Sequence, residues 1–207
     1  MSKNLPSNLK EAESYLYEAI DSYFINNSQK SFLSINLKFE GLRINPIISR
    51  LSRKLTHSKY NNILLWADAG GAALAKRDNP ELSNKIFTFK EFLNSSDLLN
   101  SVLLVCSPQP YDIEMFEQVC SHTNSTVIMI NGKLEDPIVG IGSVGREMRK
   151  RFAEKWKILY FVQPLSMGAL QKKFPDNWQL FKLNPNGYSF VKSFDNRPDD
   201  ETIILNL

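Results

Sequence analysis

Two glycine-rich turns carry the residue types most able to do chemistry. The first is Asp68-Ala-Gly70-Gly71-Ala-Ala-Leu-Ala-Lys-Arg77, which follows the apolar run Ile63-Leu-Leu-Trp-Ala67. An apolar run of that length reads as a buried strand, and Ala-Ala-Leu-Ala favours helix. A strand, a tight turn and a helix start place backbone N–H groups and the Asp68 carboxylate at the carboxyl edge of a sheet, where α/β proteins bind ligands. A carboxylate there can serve phosphotransfer as a nucleophile or metal ligand. Such enzymes need a second acid nearby, and Asp68-Ala-Gly lacks it. Asp68 therefore also reads as a helix cap or turn former.

The second turn, Gly140-Ile-Gly142-Ser-Val-Gly145, has the G-x-G-x-x-G spacing of dinucleotide-binding loops. Its context does not fit a nicotinamide or flavin site. Pro137 and its neighbours separate it from the apolar run Thr126–Ile130, and no acid is placed for a ribose hydroxyl. It reads as a plain glycine loop or an anion-binding loop. A helix should follow. At about 100° per residue, Val144, Met148, Phe152 and Trp156 share an apolar face. Arg146, Arg149, Lys150 and Lys157 fall on the adjoining face. From Gly140 to Lys157 six basic residues oppose two acidic ones, a net +4, which exceeds the +3 of the whole chain. A phosphate-containing or acidic ligand is the chemistry this pattern suggests. The candidate ligand-binding residues are Asp68, Gly70, Gly71, Gly140, Gly142, Arg146, Arg149 and Lys150, with Arg43 and Asn45 from the turn Gly41-Leu-Arg-Ile-Asn-Pro46.

No catalytic set and no cofactor can be named from the sequence. His57 and His122 fall near predicted helix ends without metal-ligand spacing. The phosphate loop G-x-x-x-x-G-K-[ST] and the nucleophile elbow G-x-S-x-G are both missing. The chain thus reads as a binding protein more readily than as an enzyme.

These residues need a frame. An apolar stripe predicts a first helix from about Ser7 to Phe24. Phe32–Phe39 alternates with period two and predicts a strand. Asn45-Pro46 predicts an N-cap followed by proline at the first helical position, opening a helix to about Thr56. Val102–Cys106, Thr126–Ile130 and Ile158–Val162 are further buried strands, and Ile113, Phe116, Val119 and Cys120 mark the apolar side of a helix. Lys85–Phe89 predicts another short strand. Trp178–Leu183 and Tyr188–Phe194 flank Asn184-Pro-Asn-Gly187, the turn chemistry of an antiparallel hairpin. Trp178 should be buried in it. Uninterrupted apolar strands alternating with helices predict a three-layer α/β fold, with a mainly parallel sheet covered on both faces. The alternating strand and the hairpin suit its edges.

At 207 residues, 43% hydrophobic and 23% charged, the chain suits one domain, 1–207. A charge of +3 names no nucleic-acid partner. Two cysteines suit a reducing compartment. No apolar segment approaches the length of a membrane span, and the polar start has no signal core or transit-peptide character.

Four segments occur in a familiar order: Gly41-Leu-Arg-Ile-Asn-Pro46, Ala67–Arg77, Asn131-Gly-Lys-Leu134 with Gly140-Ile-Gly142, and Phe174-Pro-Asp-Asn-Trp-Gln-Leu-Phe181. From about Ser7 to Phe194 the chain resembles the domain of unknown function numbered nineteen-ninety-five, of cyanobacteria and plastids. That family includes a plant factor for photosystem II accumulation and a domain attached to a chloroplast adenylate kinase. Gly132 stands where relatives often carry proline. The resemblance implies a soluble assembly or regulatory factor of the photosynthetic apparatus, with a protein partner there. It would work in the cyanobacterial cytoplasm or plastid stroma, in part at the thylakoid. It transfers no catalytic residue. The alternative is a nucleotide- or phosphometabolite-binding protein using the two glycine turns.

Overall fold

The computed structural model describes residues 4–27, 29–95, 101–134 and 150–207. Its contacts divide the chain into two compact units that interleave in sequence. One comprises Gln29–Ser34 and Arg43–Lys157, the other Met1–Ser28, Ile35–Leu42 and Ile158–Leu207. The fold is mixed α/β, as the alternation of apolar runs and helices predicts.

The first unit is built on parallel strands. These are β2 (Asn62–Trp66), β3 (Ile86–Thr88), β4 (Val102–Cys106) and β5 (Val127–Ile130), in the order β3-β2-β4-β5, every pair parallel. β2 is buried at all five positions and β5 at all four. Such strands must be covered on both faces. Successive side chains point to opposite faces, so Ile63, Leu65, Leu103, Val105, Val127 and Met129 form one side of the core. Phe89 and Phe92 of α4 (Phe89–Leu93) and Phe116 and Val119 of α5 (Ile113–His122) pack there, with Phe152 from the helical residues 150–154. Phe116 sits in the middle, its ring 5.7 Å from Phe89, 5.6 Å from Phe152 and 5.3 Å from Trp156.

The opposite face meets α2 (Ile44–His57) and α3 (Ala69–Asp78). Ile47, Ile48, Leu51 and Leu55 give α2 its buried stripe. A fully buried amide, Asn62 at the start of β2, is tied to α2 as well. Its Oδ1 accepts from Ser52 Oγ at 2.6 Å, and its Nδ2 faces Thr56 Oγ1 at 3.1 Å and the Tyr60 carbonyl at 3.0 Å. Two helical layers around a parallel sheet are the arrangement the sequence predicts. His57 and His122 end α2 and α5. Lys30 Nζ completes the end of α5 by donating to the carbonyls of Cys120 and Thr123 at 2.8 and 2.7 Å, since the last carbonyls of a helix lack partners of their own.

The second unit is an antiparallel meander. Strands β6 (Lys157–Leu165), β7 (Gly168–Lys173), β8 (Trp178–Asn184) and β9 (Gly187–Phe194) pair in sequence order. β8 and β9 form the expected hairpin, closing at Asn184 opposite Gly187. Gly187 has φ +112°, a conformation that glycine reaches without penalty. Two elements were not legible as such: β7, and a last helix, α6 (Asp200–Asn206), capped by Asp199 accepting from Thr202 N–H at 2.8 Å. α1 (Leu9–Asn26) lies against one face of the meander. Ile203 of α6 joins Phe161, Leu170, Trp178 and Leu180 on the other. Trp178 is 4% exposed, as expected.

The strand β1 (Phe32–Leu37) departs from the reading of an edge strand. Leu33, Ser34, Ile35 and Leu37 are all buried, so its alternation does not mark one wet face. In the first unit the Ser31 carbonyl accepts from Val127 N–H at 2.9 Å, and in the second Lys38 N–H donates to the Val162 carbonyl at 2.9 Å. Among the described residues no helix is long and apolar enough to cross a membrane.

Candidate functional site

The parallel register of β2, β4 and β5 brings their carboxyl ends to one edge, as the two apolar runs and their turns predict. Asp68, Ser107 and Asn131 follow these strands there. Asp68 is the N-cap of α3. It has extended backbone angles, φ −113° and ψ 152°, and its Oδ1 accepts from Gly71 N–H at 2.7 Å. An N-cap carboxylate satisfies one of the orphan donors and complements the helix dipole. The glycines fit around this cap. A Cβ on Gly71 would lie 2.7 Å from Trp66 Cδ1 and 2.9 Å from Asp68 Oδ2, and one on Gly70 would lie 3.1 Å from Asp68 Oδ1. Gly70 and Gly71 therefore make room for Trp66 and the capping carboxylate.

Asn45 also reaches this edge, though not as a cap. α2 begins at Ile44, with exposed Arg43 at the N-cap position and no side-chain capping bond. Pro46 thus stands at the third helical position, where its missing N–H still costs no intrahelical bond. Asn45 Oδ1 instead lies 3.7 Å from Cys106 Sγ, within reach of the weak thiol donor. Burial pushes the Cys106 thiol up to about 12, and the negative charge of Asp68 acts in the same direction. Burial likewise raises Cys120 to about 12. Neither sulfur is a thiolate at neutral pH, so neither is poised as a nucleophile.

Ser107 and Asn131 are not among the candidate ligand-binding residues read from the sequence. Their backbones adopt φ +45° and φ +50°. For a non-glycine residue such a conformation costs about 1–3 kcal/mol and needs support from its surroundings. Ser107 has it: its N–H donates to the Ile130 carbonyl at 2.8 Å, and its own carbonyl accepts from Gln109 Nε2 at 2.7 Å. Gly132 follows, where a Cβ would lie 2.3 Å from Met129 Sδ and 3.0 Å from Pro108 Cγ. A larger residue there would require the flexible Met129 side chain to move.

Of the second glycine turn, Gly140, Gly142, Arg146 and Arg149 lie outside the described residues. Lys150 is described and exposed. Phe152 is buried, and Trp156 packs 5.4 Å from Phe32 and 5.8 Å from Phe152. The apolar face inferred for this helix therefore holds wherever it is described. Among the described residues no group of His, Cys, Asp and Glu is placed to hold a metal ion.

The thiols give a direct check on this edge. Only the thiolate reacts readily with alkylating reagents. Iodoacetamide at pH 8 should leave Cys106 and Cys120 unmodified in the native chain and label both in denaturant, read by intact mass. Rapid native labelling of Cys106 would show that this edge opens to solvent.

Fold and site together define an α/β protein whose parallel strands deliver a capped helix start, a buried thiol and two left-handed turns to one edge. Residues 6–204 match the family described as Domain of unknown function (DUF1995), and the chain belongs to that family. No curated protein matches it. Among solved structures, the chain is similar to part of "Structure of Drosophila ORC bound to GC-rich DNA and Cdc6", at 11% identity and a TM-score of 0.32. That likeness covers 76% of this chain and 33% of the other. It is too slight to bear on function.

Proposed function

We propose that the chain is a protein-binding assembly or regulatory factor of the photosynthetic apparatus, of the photosystem II biogenesis type. It would work in the cyanobacterial cytoplasm or plastid stroma and reach the thylakoid through its partner. The residue blocks shared with the plastid and cyanobacterial family support the setting. The binding mode rests on one observation: an anchored basic surface. Phe152 and Trp156 fix the helical residues 150–154 to the aromatic core, while Lys150, Arg151, Lys155 and Lys157 stay exposed beside a single exposed acid, Glu154. A positive surface of this kind steers and orients an acidic protein partner.

A phosphate ligand at the first glycine turn is the weaker reading. It would have to displace the Asp68 carboxylate from Gly71 N–H, where an anion is already seated. In the test, the immobilised chain is incubated with thylakoid extract and captured photosystem II subunits are quantified. Capture should fall by about tenfold in Lys150→Glu/Lys155→Glu, and it should weaken as salt rises, because exposed charges are screened within about 8–10 Å. Equal capture by the double variant at all salt concentrations would remove the basis for this reading.

A further inference from the structure

The chain has two Asn-Gly peptide bonds, Asn131-Gly132 after β5 and Asn186-Gly187 at the turn between β8 and β9. Asn-Gly is the dipeptide at which a chain most readily attacks its own side chain. The glycine nitrogen can reach the side-chain carbonyl carbon of the asparagine, and no Cβ on the glycine stands in the way. The fold decides whether it does so. The ring closes only where the asparagine side chain can turn back over the next peptide and that peptide can move to meet it.

The two bonds sit in opposite surroundings. Asn131 and Gly132 are half-buried. A Cβ on Gly132 would lie 2.3 Å from Met129 Sδ and 3.0 Å from Pro108 Cγ, and just beyond it Lys133 N–H donates to the Pro108 carbonyl at 2.8 Å. The peptide after Asn131 is therefore packed from the side and tied down at its far end. Asn186 and Gly187 are exposed, as are Asn184, Pro185 and Tyr188 around them. A Cβ on Gly187 would meet nothing within 4 Å. Asn184 Nδ2 is committed to Ser189 Oγ at 2.6 Å, whereas the Asn186 amide has no hydrogen-bond partner among the described residues. Gly187 belongs to the closing pair of the hairpin, opposite Asn184, on a strand that pairs with β8 alone. A solvated closing pair at a sheet edge opens at small cost compared with a peptide packed in the core.

We propose that Asn186 is the site at which this chain deamidates. The Gly187 nitrogen gives up its proton and bonds to Asn186 Cγ. The Cγ–Nδ2 bond breaks, and the amide nitrogen leaves with that proton as ammonia. Water then opens the succinimide at one of its carbonyls, giving aspartate or isoaspartate. No oxidant takes part. Either product puts a carboxylate at the tip of the hairpin. Isoaspartate also lengthens the backbone at the turn that brings Gly187 opposite Asn184.

The test incubates the full chain at pH 8, native and in guanidinium chloride, and locates the products by peptide mass. Isoaspartate is counted by enzymatic carboxyl methylation. In denaturant both bonds should convert at similar rates, which shows that both are chemically competent. In the native chain Asn186 should convert at least about tenfold faster than Asn131, the difference being the extra cost of local opening at Asn131. The native rate should rise with pH, because the attacking nitrogen must lose its proton. Asn186→Gln, whose longer side chain closes its ring far more slowly, should remove most of the mass change in the native chain. A native Asn186 that stays intact while the denatured chain converts would overturn the proposal. So would native conversion led by Asn131, or equal at the two bonds.

Discussion

Trp178→Ala should lower the stability of the folded chain by about 3–5 kcal/mol, the range for emptying a buried site of a large aromatic ring. The indole is 4% exposed and meets the Phe161 ring edge-on with centroids 5.0 Å apart. Leu170, Leu180 and Ile203 complete the cluster. The Arg197 guanidinium covers the aromatic pair from outside, 5.1 Å from the Phe161 centroid and 6.0 Å from that of Trp178, a stacking that adds cation–π attraction. Urea unfolding of wild type, Trp178→Phe and Trp178→Ala measures the effect. Phenylalanine should recover a large part of the loss. An unchanged midpoint in the alanine variant would place the ring in solvent and make it available for contacts.

Asn62→Ala should cost about 3 kcal/mol, because it strands buried polar groups whose desolvation cost is not recovered. The amide holds Ser52 Oγ, Thr56 Oγ1 and the Tyr60 carbonyl at once. It thereby locks the end of α2 and the turn after it onto the first residue of β2. Asn62→Asp separates the roles. A carboxylate can still accept from Ser52 Oγ, but it cannot donate to Thr56 Oγ1 or Tyr60 O. It should therefore be destabilised more at neutral than at acidic pH, where protonation restores a donor. Thermal unfolding of both variants across pH 4–8 reads this directly, and a pH-independent penalty for Asn62→Asp would show that the donor end of the amide contributes little.

Local signals made much of the fold legible. The strands β2, β4 and β5 are short apolar runs buried on both faces, and such runs carry their own evidence. The β8–β9 hairpin was legible because Pro-Asn-Gly supplies its turn. Asp68 was legible as a cap because an acid three residues before Gly71 meets the geometry of a helix start. β7 was not. Gly168-Ala-Leu-Gln-Lys-Lys173 has little intrinsic strand preference and is a strand because β6 and β8 pair with it on both sides. Strand preference is largely a matter of such context. For the same reason the ion pair between Lys173 and Glu18 was not legible, because the two meet across 155 positions. Asn45 and Cys106 meet across 61. Its local neighbours suggested that Asn45 caps a helix, and only the tertiary fold gives it a thiol instead. The start of α2 moved by two residues because Arg43 already has the extended backbone that an N-cap needs.

In the proposed role, this chain supports photosystem II biogenesis through its basic surface. The most direct measurement is the amount of assembled photosystem II in a photosynthetic host from which the chain has been deleted. Complementation with wild type is compared with Lys150→Glu/Lys155→Glu at matched protein levels. The expected result is a loss of assembled complex on deletion, restoration by wild type, and failure of the charge-reversed chain to restore it. Unchanged photosystem II in the deletion strain would contradict the claimed role, and full rescue by the charge-reversed chain would contradict the claimed surface.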